Sequence, residues 1–167
     1  MKRVLKRLDS VHEKLLRTVT PLDSKTFTQR PSENEWSVGD IVQHLSLVEE
    51  RVLHDLEKAV RRDPQRVGVL KRLLPTSIVS SRMLKVKSPK AVTPTAVTEK
   101  ETTIEALESA RRKLKAFCDL HDVKRFRRLT FNHPFLGKID GVATISFVSY
   151  HEQRHYKQIR EVLKKIG

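Results

Sequence analysis

Apolar residues recur at intervals of three and four positions along four stretches of the chain, and this spacing most narrows the folds open to it. Residues spaced in this way lie on one face of an α-helix. The predicted helices cover residues 2–19, 37–61, 102–120 and 140–166. Strand-like alternation is scarce and no internal repeat is visible, so we predict an all-α fold. Residues 1–167 are expected to form a single four-helix-bundle domain.

The starts of two predicted helices carry capping signals. Ser37 stands three residues before Asp40, and Thr102 stands three residues before Glu105. In such a capping box the first side chain binds a free backbone N–H, and the acidic side chain returns the contact. Trp36 precedes the first box, where we expect it to plug the start of the helix and not to act as a ligand.

The long stretch between the second and third helices is predicted to be a crossover. It contains several prolines, which disfavour one continuous helix. Residues 75–99 nevertheless include Val86, Val92 and Val97, apolar side chains that need burial. We therefore interpret 75–99 as an ordered crossover and not as a linker.

The composition favours a cytoplasmic protein with anionic partners. The formal net charge is +14, which either attracts nucleic acid, an acidic membrane surface or an acidic small molecule, or only forms a solvated basic surface. Residues 124–128, KRFRR, favour a nucleic-acid-binding module, although no recognised nucleic-acid-binding motif accompanies them. No apolar run is long enough to span a membrane. A single cysteine, Cys118, allows no internal disulfide, and its position favours a small apolar role on a helix.

The motif HEQRH, from His151 to His155, matches the zinc-protease pattern H-E-x-x-H. Positions four apart share a helix face, and this face continues the apolar stripe through Val148 and Ile159. Both histidines are therefore predicted to point inward. A histidine on a core face must be hydrogen-bonded, protonated in a wet pocket or bound to a metal.

A third histidine favours the metal interpretation. His44 lies between Ile41 and Val48 on the second predicted helix, so it also faces the core. Three imidazoles from two helices can provide the protein ligands of an open metal site. The remaining histidines lack this arrangement, and His12 and His54 are interpreted as surface or boundary residues.

A peptidase would need a further ligand beyond the motif. Glu161 is the acid that follows His155, and it lies six residues further along the same helix, on another side. Within the motif, Glu152 could accept a proton or orient a metal-bound water, or it could be a solvent-side residue. Arg154 could pair with a ligand carboxylate or with an acid on a neighbouring helix.

Four ordered segments of the sequence carry a family resemblance. They are WSVGDIVQHL, KSPKAVTP, NHPFLGKIDG and HEQRHYKQI, and together they resemble the DinB/YfiT-like superfamily over nearly the whole chain. That family forms a four-helix bundle with a long crossover and has a three-histidine metal site. The resemblance places His44, His151 and His155 at these ligand positions. Arg154 and Gln158 match the family form H-x-x-R-H-x-x-Q, and Glu152 would complete the protease pattern only incidentally.

The resemblance implies function only broadly. Characterised relatives include S-transferases and isomerases that use low-molecular-weight thiols such as bacillithiol, mycothiol or glutathione. It implies one divalent metal ion (zinc or nickel), a small thiol, a small electrophile and a homodimer. Glu152 and Arg154 are the candidate catalytic residues, on the chemistry of the motif and not on the resemblance. Two alternatives stay open: a metallohydrolase or peptidase acting through H-E-x-x-H, and a non-catalytic basic module that binds nucleic acid.

Overall fold

The computed structural model describes residues 1–61, 90–95, 97, 99–133 and 137–167. Most of the predicted crossover, Val86 included, lies outside these residues. Of the three valines predicted to need burial, Val92 is buried and Val97 is half-buried.

Four long helices form the body of the described structure, as the apolar spacing predicted. In chain order the elements are α1 (Lys2–Val19), α2 (Ser24–Thr28), α3 (Val38–Val60), a 3₁₀ turn (Lys90–Val92), α4 (Lys100–Asp119), α5 (Val123–Phe126), β1 (Thr130–His133), β2 (Gly137–Asp140) and α6 (Gly141–Ile166). Among the helices described, none has the length and apolar character needed to cross a bilayer.

Two apolar clusters at opposite ends of the bundle show how the long helices run. One cluster takes a residue from each long helix near one end: Leu8, Leu56, Leu114 and Ile145. The other takes a residue from each near the opposite end: Leu15, Ile41, Leu107 and Ile159. Helices α1 and α6 therefore run from the first cluster to the second, and α3 and α4 run back. Because α3 and α4 are parallel, α4 begins at the end of the bundle opposite to the one where α3 ends.

The predicted capping box of α3 is confirmed, and α6 also begins with a side-chain cap. The backbone N–H of Asp40 donates to Ser37 Oγ at 3.0 Å, and the backbone N–H of Ser37 donates to Asp40 Oδ2 at 2.9 Å. At α6 the backbone N–H of Ala143 donates to Asp140 Oδ1 at 2.9 Å. These bonds fix the first turns of the two helices that carry the candidate metal ligands.

The predicted capping box at the start of α4 is wrong. The helix begins at Lys100, with Glu99 as its N-cap, so Thr102 lies within the first turn. The hydroxyl of Thr102 donates to the Glu99 carbonyl at 3.3 Å and does not cap the helix. Glu105 pairs instead with Arg112 at 2.6 Å. A hydroxyl that can bind a nearby carbonyl competes with the capping contact.

Strands β1 and β2, where the sequence predicted no strand, pair as an antiparallel hairpin. Phe131 pairs with Ile139, and Thr130 pairs with Asp140. Gly137 adopts φ +64°, a left-handed conformation that glycine reaches at little cost. Because β2 ends at the N-cap of α6, the hairpin sets where α6 begins.

Candidate metal centre

Three imidazoles converge between α3 and α6. His44 Nε2 lies 3.4 Å from His151 Nε2, which lies 3.2 Å from His155 Nε2. The possible ligand atoms of the three residues all lie within 4.8 Å of one another. We call His44, His151 and His155 the His triad, and the structure brings together all three histidines that the sequence predicted would meet.

Hydrogen bonds at the far side of two rings decide which nitrogen carries the proton. His44 Nδ1 lies 2.6 Å from the Val92 carbonyl oxygen, and His155 Nδ1 lies 2.9 Å from Gln158 Oε1. Both partners are acceptors, so each Nδ1 is the donor and each neutral ring keeps its lone pair on Nε2. Two lone pairs thus face His151 Nε2. A proton on that atom can form a hydrogen bond to only one of them, whereas a cation between the rings can accept a lone pair from all three Nε2 atoms.

The separations of these nitrogens fit a metal ion. Bonds of about 2.0–2.1 Å to a tetrahedral ion place neighbouring ligand atoms about 3.3–3.4 Å apart. The two measured Nε2 separations are 3.2 and 3.4 Å. Imidazole is a suitable ligand for zinc, copper, iron and nickel. The donor set present therefore fits the divalent ion that the resemblance implies.

Burial prepares two of the rings to bind a cation. It lowers the pKa of His44, against the opposing effect of the hydrogen bond to Val92. Burial, reinforced by the neighbouring His151 and His44, lowers the pKa of His155 well below its ordinary value. Both rings are therefore neutral at pH 7, and a metal ion does not have to displace protons from them.

Aromatic side chains border the His triad. The ring centroid of Trp36 lies 5.0 Å from that of His44 and 6.3 Å from that of His155. Phe147 lies 5.3 Å from His151. His44 and His155 are buried whereas His151 is half-buried, so the site is most accessible on the side of His151. Trp36, predicted only to plug the helix start, thus also forms a wall of the site.

A second buried group of polar residues joins all four long helices beside the triad. Arg111 Nε donates to Glu49 Oε2 at 2.9 Å, and Arg111 Nη2 donates to Glu152 Oε2 at 2.8 Å. A further nitrogen of Arg111, Nη1, donates to the Leu8 carbonyl at 3.0 Å. His12 Nδ1 donates to Glu152 Oε1 at 2.9 Å. We call His12, Glu49, Arg111 and Glu152 the ionic cluster.

The ionic cluster decides between alternatives that the sequence left open for two residues. Glu152 is not on the solvent side, because its side chain is 0% exposed. His12, interpreted as a surface or boundary residue, has a side chain only 12% exposed that reaches inward to Glu152. His12 lies one position past Val11, off the buried face of α1, and its side chain fits between α1 and α6 because the Glu152 carboxylate meets it there.

Sequence reasoning missed Glu49 and Arg111 altogether. Burial opposes the charge on Arg111, but Glu49 and Glu152 outweigh it and raise the arginine pKa. Burial raises the pKa of Glu49 above its ordinary value, although Arg111 acts in the opposite direction. A signal was available, since Arg111 lies four residues after Leu107 and three before Leu114, within the apolar stripe of α4.

Among the described residues, the others singled out from the sequence do not join the triad as candidate ligands. Cys118 is buried, and burial followed by the Asp119 charge raises the pKa of its thiol to about 12, in keeping with the predicted apolar role. His54 is exposed, as predicted, and so is Glu161, on the solvent side of α6. Arg154 is half-buried and contributes to lowering the pKa of His155.

Comparisons with known proteins agree with this fold. The chain is 26% identical over 147 residues to the uncharacterised protein YuaE of Bacillus subtilis (strain 168), covering 87% of this chain and 88% of that one. It superposes on the four-helix bundle protein TT2238 with a TM-score of 0.65 and 20% identity, over 96% of this chain and 98% of that one.

A second solved structure resembles the chain equally well. YfiT from Bacillus subtilis, described as a probable metal-dependent hydrolase with an unusual four-helix bundle topology, gives a TM-score of 0.69 at 16% identity, over 99% of this chain and 87% of that one. Residues 7–159 also match the DinB superfamily. The chain belongs to the DinB superfamily.

Proposed function

We propose that the protein is a metal-dependent enzyme that joins a low-molecular-weight thiol to a small electrophile. The His triad would hold one divalent ion, zinc or nickel. The observation that carries the proposal is the convergence of three Nε2 atoms whose rings are oriented, at His44 and His155, by acceptors on the far side.

An ion bound by three neutral imidazoles keeps its full charge and lowers the pKa of a thiol or water that binds beside it. The chain's part is to hold the three rings and to limit access. The buried pair, His44 and His155, closes one side of the site, and the half-buried His151 leaves the other open to a small molecule. The net charge of +14 favours thiols that carry carboxylates.

The position of Glu152 favours a thiol-transfer mechanism over a peptidase mechanism. In H-E-x-x-H proteases the glutamate is the general base that activates water. Here its carboxylate is fully buried and binds Arg111 and His12, so it is poorly placed to take a proton from a water at the triad. A thiol whose pKa is lowered by the metal needs no such base. The nucleophile would come from outside the chain, because Cys118 is buried and its pKa is about 12.

Metal analysis followed by conjugation assays tests the proposal. The purified protein, loaded with zinc or nickel, is mixed with a chloronitrobenzene and each of several low-molecular-weight thiols. We expect thiol-dependent conjugation that is lost in His151→Ala and retained in His54→Ala, a change at an exposed histidine on α3. A wild-type protein that binds no divalent ion would overturn the proposal.

A hydrolase is the second candidate, because YfiT, which shares the fold, is described as a probable metal-dependent hydrolase. The same protein preparation is therefore tested on nitrophenyl esters without thiol. Ester cleavage that needs the His triad but no thiol would replace the transferase assignment.

Arg154 is proposed to bind a carboxylate of the thiol, and its replacement by leucine is expected to raise KM for the thiol more than it lowers kcat.

A further inference from the structure

The chain segment that returns from the crossover is attached to α3 directly beside the His triad. We call residues 90–95 together with Val97 the return segment. Its Val92 carbonyl accepts the 2.6 Å bond from His44 Nδ1. This bond orients a candidate ligand, so whatever holds the Val92 carbonyl in place also acts on the metal site.

Gln43, the residue before His44 on α3, binds the return segment through two hydrogen bonds to Thr95. The backbone N–H of Thr95 donates to Gln43 Oε1 at 2.8 Å, and Gln43 Nε2 donates to Thr95 Oγ1 at 3.2 Å. The Gln43 side-chain amide thus both accepts a hydrogen bond from Thr95 and donates one to it, across 52 positions of the chain. Thr95 lies three residues from Val92, so this pair restrains the carbonyl that His44 uses.

Packing one turn earlier on α3 supports the same attachment. Val97 packs at Gly39, where an added Cβ would come within 2.9 Å of Val97 Cγ1. Val92 itself is only 7% exposed. The return segment therefore meets α3 through successive contacts at Gly39, Gln43 and His44.

The structure assigns Gln43 as a positioning residue for the metal site, acting through Thr95 and the Val92 carbonyl on the His44 ring. This inference rests on the proposed metal-binding function. It has a reciprocal consequence, because two equilibria that are linked must influence each other equally. Attachment of the return segment strengthens metal binding, and metal binding strengthens attachment of the return segment.

The test compares Gln43→Met with Gln153→Met, measuring zinc affinity by competition with a chromophoric chelator. Methionine keeps the length and helix preference of glutamine but removes its hydrogen bonds. Gln153 is a half-buried glutamine on α6, between His151 and His155 in sequence. Loss of a group that orients a metal ligand typically weakens affinity about 10–100-fold. Because Gln43 acts one step further away, we expect about a 10-fold loss, and less than a twofold change for Gln153→Met.

Two further readouts separate positioning from a general loss of stability. The visible spectrum of the cobalt-loaded protein should change in Gln43→Met and not in Gln153→Met. Amide hydrogen exchange at Val92, Thr93 and Thr95 should slow when zinc is added to the wild type, and this protection should shrink in Gln43→Met. Unchanged zinc affinity in Gln43→Met, or zinc binding that does not slow amide exchange in the return segment, would overturn the role of Gln43 but not the metal-binding function. A wild type that binds no zinc, nickel or cobalt would overturn the metal function as well.

Discussion

Replacing Arg111 by leucine should destabilise the protein far more than an ordinary surface change. Arg111 is 3% exposed, and its guanidinium binds Glu49, Glu152 and the Leu8 carbonyl. Leucine would leave two carboxylates, themselves 1% and 0% exposed, without this cation. Removing one partner of a buried ion pair costs about 3–5 kcal/mol. For a chain of this size that corresponds to a fall in Tm of about 6–20 °C.

The neighbouring arginine provides the matched control. Arg112 pairs with Glu105 at 2.6 Å, and the side chains are 61% and 62% exposed. Exposed pairs contribute about 0–1 kcal/mol, so Arg112→Leu should lower Tm by no more than about 4 °C. Thermal unfolding followed by circular dichroism at pH 7.5 measures both variants. Equal losses in the two variants would refute the assignment of Arg111 to a buried ionic cluster.

Acidity should reduce the cost of the Arg111 change. Burial raises the pKa of Glu49, so the folded state holds a proton on this carboxyl more tightly than the unfolded state does. The stability contributed by that proton is present at acid pH and is lost as pH rises through the folded pKa. Without Arg111 the same carboxyl should be protonated more readily. The deficit of Arg111→Leu relative to wild type is therefore expected to be smaller at pH 5 than at pH 8, and a deficit that grows on acidification would contradict this reasoning.

Replacing any member of the His triad by alanine should abolish the rise in Tm on adding zinc, because binding to the folded state alone adds stability; His54→Ala should keep it, and calorimetric scans with and without zinc decide. Burial lowers the pKa values of His44 and His155, so below pH 6.5 the unfolded metal-free chain binds more protons than the folded one. The free energy of unfolding should therefore fall as pH decreases from 6.5 to the folded pKa values. Urea midpoints of chelator-treated protein at pH 7.5 and 5.5 measure this fall, which should be smaller in His155→Gln. Gly39→Ala should cost about 1–3 kcal/mol, since its Cβ would approach Phe27 Cε1 to 2.8 Å; an unchanged urea midpoint would contradict the packing described there.

The periodic sequence signals predicted the long helices and the triad because both depend on one face of a helix at a time. His44, His151 and His155 each lie on an apolar stripe, and each stripe turned toward the same seam. The cap of α3 was readable for a similar reason, since Ser37 and Asp40 contact each other within one turn.

Contacts between distant elements were not readable in this way. Arg111 and Glu49 interrupt their apolar stripes, but nothing in either helix alone says that the two residues meet 62 positions apart. The hairpin was missed because its strands span four residues each, too short for alternation to stand out. At the start of α4, the Thr102 hydroxyl had both a backbone N–H and a carbonyl within reach, and the pattern of residues does not decide between them.

The parallel pairing of α1 with α6 has a consequence for how the protein reaches its native state. His12 and Glu152 are 140 positions apart in the chain, and the triad joins residues 107 positions apart. Contacts with such separations form slowly, because a long loop must close before they can contribute. Until α6 emerges from the ribosome and docks, Glu49 and Arg111 lack the Glu152 carboxylate and His44 lacks its two partner imidazoles. Metal capture should therefore follow the synthesis of α6 and coincide with the step that closes the bundle.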